Sequence, residues 1–128
     1  MGVFALRAAL LPSFSSESER SRLPLYLPEL LCPAGDESAL RAAIDCGANA
    51  VYLGYKSFGA RASAVNFDDE ALERAVCYAH LHHVRVHVTV NTLVKPSETE
   101  GVHQALTAIQ AAGADAVIVQ DQGVAAMV

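Results

Sequence analysis

From residue 29 onward the chain alternates short apolar runs with longer stretches whose apolar residues recur every three to four positions. The short runs are residues 29–32 (ELLC), 50–53 (AVYL), 84–91 (VRVHVTVN) and 116–119 (AVIV). They predict four strands. Between them, Leu40, Ala43 and Ile44 mark one helical face, and Leu72, Ala75, Val76 and Ala79 mark a second. Val102, Ala105, Leu106 and Ile109 mark a third. Helix starts are legible too. Asp36 and Asp68 are good N-caps, and Phe67 with Leu72 has the spacing of a hydrophobic staple. Ser97 and Glu100, after Pro96, have the spacing of a capping box. Gly47 and Gly113 supply helix stops, and the second helix should end near His82 and His83. Asp121 and Gly123 open what reads as a fourth helix.

Residues 47–51 (GANAV) return as residues 113–117 (GADAV), sixty-six positions later. Each copy is a helix stop, a tight turn and a strand start. One further helix-to-strand passage lies between them, so each strand-plus-helix unit takes about thirty-three residues. Repeated units of this kind imply a parallel sheet with right-handed crossovers. The third run chooses between the two common solutions. A central strand of a doubly wound sheet is covered on both faces and should be apolar on both. Here Val84, Val86, Val88 and Val90 alternate with Arg85, His87, Thr89 and Asn91. That pattern suits a barrel, with valines under the helices and mixed residues pointing inward. A full barrel takes about 250 residues. The expected fold class is therefore α/β: the N-terminal half of a TIM-like (β/α)8 barrel, four parallel strands alternating with helices. Such a half leaves two open edges, which invite self-association.

Residues 1–27 do not share the pattern. Residues 3–11 are apolar but interrupted by Arg7, and a run of Ser, Glu and Arg follows. The early charge, clean apolar core and cleavage site of a secretory signal are weak or missing. The expected organisation is an irregular extension over 1–27 and a partial barrel domain over 28–128. No apolar run approaches the roughly eighteen residues of a membrane span. The apolar fraction of 52% and mean hydropathy of +0.27 describe a globular chain. The formal net charge of −5 argues against a broad nonspecific nucleic-acid footprint, while leaving room for a local basic loop. Cys32, Cys46 and Cys77 form no CxxC pair and no metal spacing. They suggest reduced, mostly buried thiols in a cytoplasmic protein.

The chemistry concentrates in residues 54–67 (GYKSFGARASAVNF). Strand-to-helix connections usually take two to six residues, and longer ones tend to bind something. Barrel sites lie at the carboxyl ends of the strands, which places this loop, Asn91 and Asp121 at the mouth. Arg61 offers a planar fork of donors for an anion or substrate, or it pins the loop. Asn66 orients substrate or serves as a turn residue before the helix. Asn91 ends the inward alternation and points at the mouth. Asp121 is a carboxylate at the mouth or a cap for the next helix. Lys56 reads as solvated. Gly54-x4-Gly59 is followed by Ala60-Arg61 where a P-loop needs Gly-Lys-Ser/Thr, which removes nucleotide binding of that type. His80, His82, His83 and His87 include no HExxH and read as structural or exposed. Ser57 and Ser63 lie outside any nucleophile elbow.

Pro33-Ala34-Gly35-Asp36, the YLG-x-x-x-FGAR-x-x-A-x-NF run over 52–67, VTVNT over 88–92 and VIVQD over 117–121 together resemble the N-terminal part of the peptidase U32 family. That family is also called collagenase-like protease. The resemblance covers nearly everything after residue 27. It implies a TIM-like barrel and relatives that hydroxylate tRNA, ribosomal RNA or a ubiquinone precursor. It also implies an iron–sulfur cluster in full-length relatives, held by cysteines downstream of this segment. None of the three cysteines here matches a cluster ligand, so no cofactor is expected within this chain. Three functions follow as expectations. One is a chain contributing substrate-binding loops to an RNA hydroxylase, with RNA or a small molecule as partner. The second is a collagenase-like peptidase, the family's older name. The third is a noncatalytic fragment that pairs with another chain. The substrate-binding candidates are Arg61, Asn66, Asn91 and Asp121; catalytic residues are expected elsewhere, and the chain alone is expected to be inactive.

Overall fold

A computed structural model describes residues 28–60 and 66–128. The expected N-terminal extension and Arg61 lie outside the described residues. The elements run β1 (Leu31–Pro33), α1 (Glu37–Asp45), β2 (Ala50–Gly54), α2 (Asp69–Leu81), β3 (Arg85–Val90), a 3-10 turn (Pro96–Glu98), α3 (Thr99–Ala111), β4 (Ala116–Val119) and α4 (Gln122–Ala125). All four strands are parallel, in the order β1-β2-β3-β4. A doubly wound sheet reverses its strand order at a switch point. This sheet does not reverse, so right-handed crossovers put every helix on the same face. α1 packs on α2 and α2 on α3 accordingly.

The valine face of β3 is the core. Val86, Val88 and Val90 are fully buried, and in register they lie beside Val51, Leu53, Val117 and Val119. Leu40, Leu72, Val102 and Ile109 meet them from the helices. Each such side chain removed from water contributes about 2 kcal/mol before entropy is counted. Among the described residues, the other sheet face carries no helix. Tyr52, Gly54, His87, Thr89 and Ile118 share it by register and are half-buried. One face covered and the other bare is the layout of half a barrel, as the alternation predicts.

The amino ends of the strands are built three times to one plan. Gly47 (φ 86°), His83 (φ 60°) and Gly113 (φ 82°) each take a left-handed conformation after a helix. The next residue then returns its N–H to the helix, from Ala48 to the Ala43 carbonyl, Val84 to Ala79 and Ala114 to Ile109. This is a Schellman stop. The middle copy has histidine where the other two have glycine, and so it is missing from the repeat visible in the sequence. Asn49 and Asp115 then do one job. The Asn49 side chain accepts from the Leu30 N–H at 2.8 Å, and Asp115 accepts from the Val86 N–H at 2.7 Å. Each ties its turn to the preceding strand.

Two local expectations are corrected. Ser97 and Glu100 make no capping box. The Glu98 carboxylate instead accepts from the Lys95 N–H at 2.8 Å, so a 3-10 turn opens at Pro96 and α3 begins at Thr99. Proline at the first position presets that tight turn. The thiols are not mostly buried: Cys46 and Cys77 are exposed and Cys32 is half-buried, because the first two fall off the apolar faces of their helices. Lys56 is exposed, as expected, and in addition pairs with Asp69. Asp36 and Asp68 cap α1 and α2 as expected, accepting from the Ala39 and Ala71 N–H groups at 2.8 Å. Among the described residues, no helix is long and apolar enough to cross a membrane.

Candidate functional site at the carboxyl ends of the strands

The opposite end of the sheet is irregular, and side chains lace it together. After Gly54 the chain turns back across the sheet. Tyr55 and Phe67 form a parallel bridge at the root of the loop, and both are buried. Asp69, in the first turn of α2, clamps this root: the Tyr55 hydroxyl donates to one carboxylate oxygen, and Lys56 pairs with the other at 2.5 Å. Lys56, then Tyr55, hold the Asp69 carboxyl below its ordinary range. Burial, then the nearby carboxylate, pushes the Tyr55 phenol up.

The outgoing limb of the loop is fastened to the residues that follow β3. The Asn91 side-chain oxygen accepts from the Ala60 N–H at 2.9 Å, and the Thr92 hydroxyl donates to the Phe58 carbonyl at 3.1 Å. Phe58 has φ 61°, which is rare for a bulky residue. Its ring rests on α3, where a Cβ at Gly101 would lie 3.3 Å from the ring edge. The returning limb brings Asn66 back to the bare sheet face. A Cβ on Gly54 would stand 2.6 Å from the Asn66 carboxamide oxygen and 3.8 Å from the Thr89 hydroxyl. Residue 54 is glycine because the Asn66 side chain occupies the space its own side chain would take.

Asp121 shows its capping alternative. One oxygen accepts from the Gly123 and Val124 N–H groups, at 2.7 and 3.2 Å, and starts α4. The other accepts from Val94 at 3.2 Å and ties β4 to the loop after β3. Those bonds, Val94's first, hold the Asp121 carboxyl low. Asn91, Asn66 and Asp121 therefore all stand at the mouth, each joined to the structure around it. Arg61 follows directly on Ala60, whose N–H Asn91 holds, and lies outside the described residues. Sequence reasoning missed Tyr55, Asp69 and Thr92. Asp69 is one of two acids in the first turn of α2, where acids are common, and its partners lie thirteen and fourteen residues back.

Among the described residues, no three histidine, cysteine or carboxylate side chains converge as a metal site. All three cysteines are described, and they sit on β1, at the end of α1 and on α2. They do not make an iron–sulfur site. The one His–Asp pair among the described residues, His80 with Asp115 at 2.8 Å, lies at the amino end of the strands, away from this mouth.

Comparisons with known proteins agree with this architecture. The model of peptidase family U32 matches residues 35–128. An uncharacterized protease of Methanocaldococcus jannaschii is 41% identical over 99 residues, which are 77% of this chain and 24% of that protein. The 23S rRNA 5-hydroxycytidine C2501 synthase of Escherichia coli is 42% identical over 96 residues, 75% of this chain and 14% of that protein. The tRNA hydroxylation protein P1 of Bacillus subtilis is 34% identical over 94 residues, 73% of this chain and 22% of that protein. The chain thus spans about a quarter or less of these relatives. A solved U32 peptidase structure, Mk0906, superposes with a TM-score of 0.63 at 11% identity, over 89% of this chain and 46% of that one. It supports the fold.

Proposed function

The chain belongs to peptidase family U32, and from that membership we propose that it supplies substrate-binding loops to an enzyme that hydroxylates tRNA or ribosomal RNA. The observation that carries this reading is the 42% identity to an rRNA hydroxycytidine synthase. The laced mouth supports it, because the same residues that make the family pattern recognisable hold the loop over the strand ends. On this reading Arg61 meets a phosphate or another anionic group of the substrate. Asn66 and the carboxamide nitrogen of Asn91 supply further hydrogen bonds, while Asp121 holds the rim. The domain is residues 28–128, preceded by an extension over 1–27. An iron–sulfur cluster would supply the redox chemistry, held by residues other than the three cysteines here. The open edges at β1 and β4 would pair with further strands, in the same chain or another. A cytoplasmic location fits an RNA substrate.

The test is twofold. RNA from cells lacking the gene, digested to nucleosides and weighed by mass spectrometry, should lack one hydroxylated nucleoside that returns on complementation. The protein purified without oxygen should absorb in the visible as an iron–sulfur protein. A complete set of hydroxylated nucleosides in the deletion strain would remove the reading. The peptidase alternative rests on the names of the archaeal protease and of a further relative, a collagenase. It predicts cleavage of a peptide panel that is lost with one serine or histidine.

A further inference from the structure

The bare sheet face has an order that the rim contacts do not explain. By register, Pro33, Tyr52, His87 and Ala116 form one row across the four strands, and Gly54, Thr89 and Ile118 form the row above it. In each strand, residues two apart share a face, so Gly54 stands directly above Tyr52, and Thr89 above His87. The lower row thus carries two ring side chains on neighbouring strands, both half-buried. The upper row is small at Gly54 and Thr89. Among the described residues, a large polar group is brought to that upper row by Asn66, whose carboxamide is set where a residue-54 side chain would be. The Thr89 hydroxyl beside it donates to the Leu53 carbonyl at 3.2 Å.

A barrel interior is normally filled in layers by its own strands. Here a loop residue is delivered into the top layer through a gap left by a glycine. Filling the space needs only a larger side chain at residue 54. What the loop adds is a carboxamide, which presents an acceptor and two donors side by side in one plane. That is the group suited to the edge of a planar heterocycle that also carries donors and acceptors. Tyr52 and His87 below it offer ring surface, which binds bases without regard to sequence.

We propose that one unpaired RNA base enters the mouth, is read along its edge by the Asn66 carboxamide, and rests over Tyr52 and His87. Gly54 is the positioning residue that admits Asn66. This rests on the RNA reading above and adds to it the base-binding residues. It does not require Asn66 to lack other partners, since a carboxamide satisfies several at once.

The experiment measures binding of fluorescein-labelled single-stranded hexamers (C6, U6, A6, and a hexamer abasic at all six positions) by anisotropy at fixed salt. It uses the full chain and the variants Asn66→Ala, Gly54→Ala, the double variant and Tyr52→Leu. Circular dichroism and thermal melting check each fold. Asn66→Ala should weaken the best-bound hexamer about tenfold, the loss of a good paired hydrogen-bond contact. Gly54→Ala should do the same, because its methyl displaces the carboxamide. The double variant should be no weaker than either single one, since both remove one interaction. Tyr52→Leu should weaken binding about tenfold through lost stacking. The abasic hexamer should bind weakly, and equally to wild type and Asn66→Ala. Wild-type-like binding by folded Asn66→Ala and Tyr52→Leu overturns the base pocket while leaving the RNA reading standing. Additive losses in the double variant overturn the role of Gly54. Failure of the wild type to bind any hexamer overturns both the RNA reading and the pocket.

Discussion

The two ends of the sheet are held together by different means. At the amino ends, one device recurs three times: a left-handed helix stop, a return bond to the helix and, in two copies, a side chain that accepts from the preceding strand. At the carboxyl ends an aspartate caps the next helix in three places, Asp36, Asp68 and Asp121, but among the described residues each contact that laces the loops is made once. Asp69 clamps the loop root, Asn91 and Thr92 fasten the outgoing limb, and Asp121 links the last two strands. A repeated device serves whatever every unit needs, which is closing a turn at low cost. Unrepeated contacts serve one place. The difference puts stability chiefly at the amino ends and, on the proposed function, specificity at the mouth, the division usual in barrels.

The largest effect expected from breaking this division is at Asp115. Its carboxylate accepts from a strand N–H at 2.7 Å and from His80 at 2.8 Å. Asp115→Ala leaves the part-buried Val86 N–H without its side-chain partner and should cost about 2 kcal/mol, read as a fall in the urea midpoint. Asp115→Asn keeps an acceptor, as Asn49 does in the first copy, and should cost less than half as much. Equal losses would mean that the repeat is a coincidence of sequence.

Acid sharpens the same point. Burial pushes Asp115 up, but the His80 and Val86 hydrogen bonds, with the charges of His80 and His87, outweigh it and hold the carboxyl below its ordinary value. A depressed folded value stabilises the protein above the unfolded pKa, near 3.9. That contribution is lost as pH falls through the folded value. Between pH 6 and pH 3 the wild type should therefore lose more stability than Asp115→Asn. Asp36, Asp69 and Asp121 are also held low, and taking the difference between the two proteins removes their share.

At the mouth the balance should reverse. Asn91→Ala removes one exposed hydrogen bond to the loop and should cost about 1 kcal/mol of stability. Its effect on substrate should be larger, because the Ala60 N–H beside Arg61 is released. The expected result is a melting temperature lowered by a few degrees and RNA binding weakened about tenfold. A variant that melts far lower yet binds normally would place Asn91 with the structural end.

What the sequence made legible follows the same division. The parallel order, the one covered face and the places of the three helix stops were legible, two of the stops through the 47–51 and 113–117 repeat. These features obey local rules, and local rules leave local marks. The mouth was placed correctly as a region, but its contacts were not readable. Asn91 meets Ala60 thirty-one residues back, and Thr92 meets Phe58 thirty-four back. Nothing near either residue announces the partner. Ser97 and Glu100 show the converse failure: a valid local signal lost to Glu98, which had an N–H within reach one turn earlier.

The smallest expected effect concerns the copy that the sequence repeat leaves out. His83 adopts φ 60° at a helix stop where the other two copies use glycine. A left-handed conformation strains a side chain with a Cβ, and glycine relieves that strain while adding freedom to the unfolded chain. The relief should win, because His83 is exposed and its N–H return bond to the His80 carbonyl, 3.0 Å, is a backbone one that glycine keeps. His83→Gly should stabilise the protein by about 0.5 kcal/mol, seen as a small rise in urea midpoint with an unchanged slope. RNA binding should stay as it was, since the substitution lies at the other end of the sheet. A destabilised His83→Gly would show that the imidazole makes a contribution of its own, and that the third stop is not equivalent to the other two.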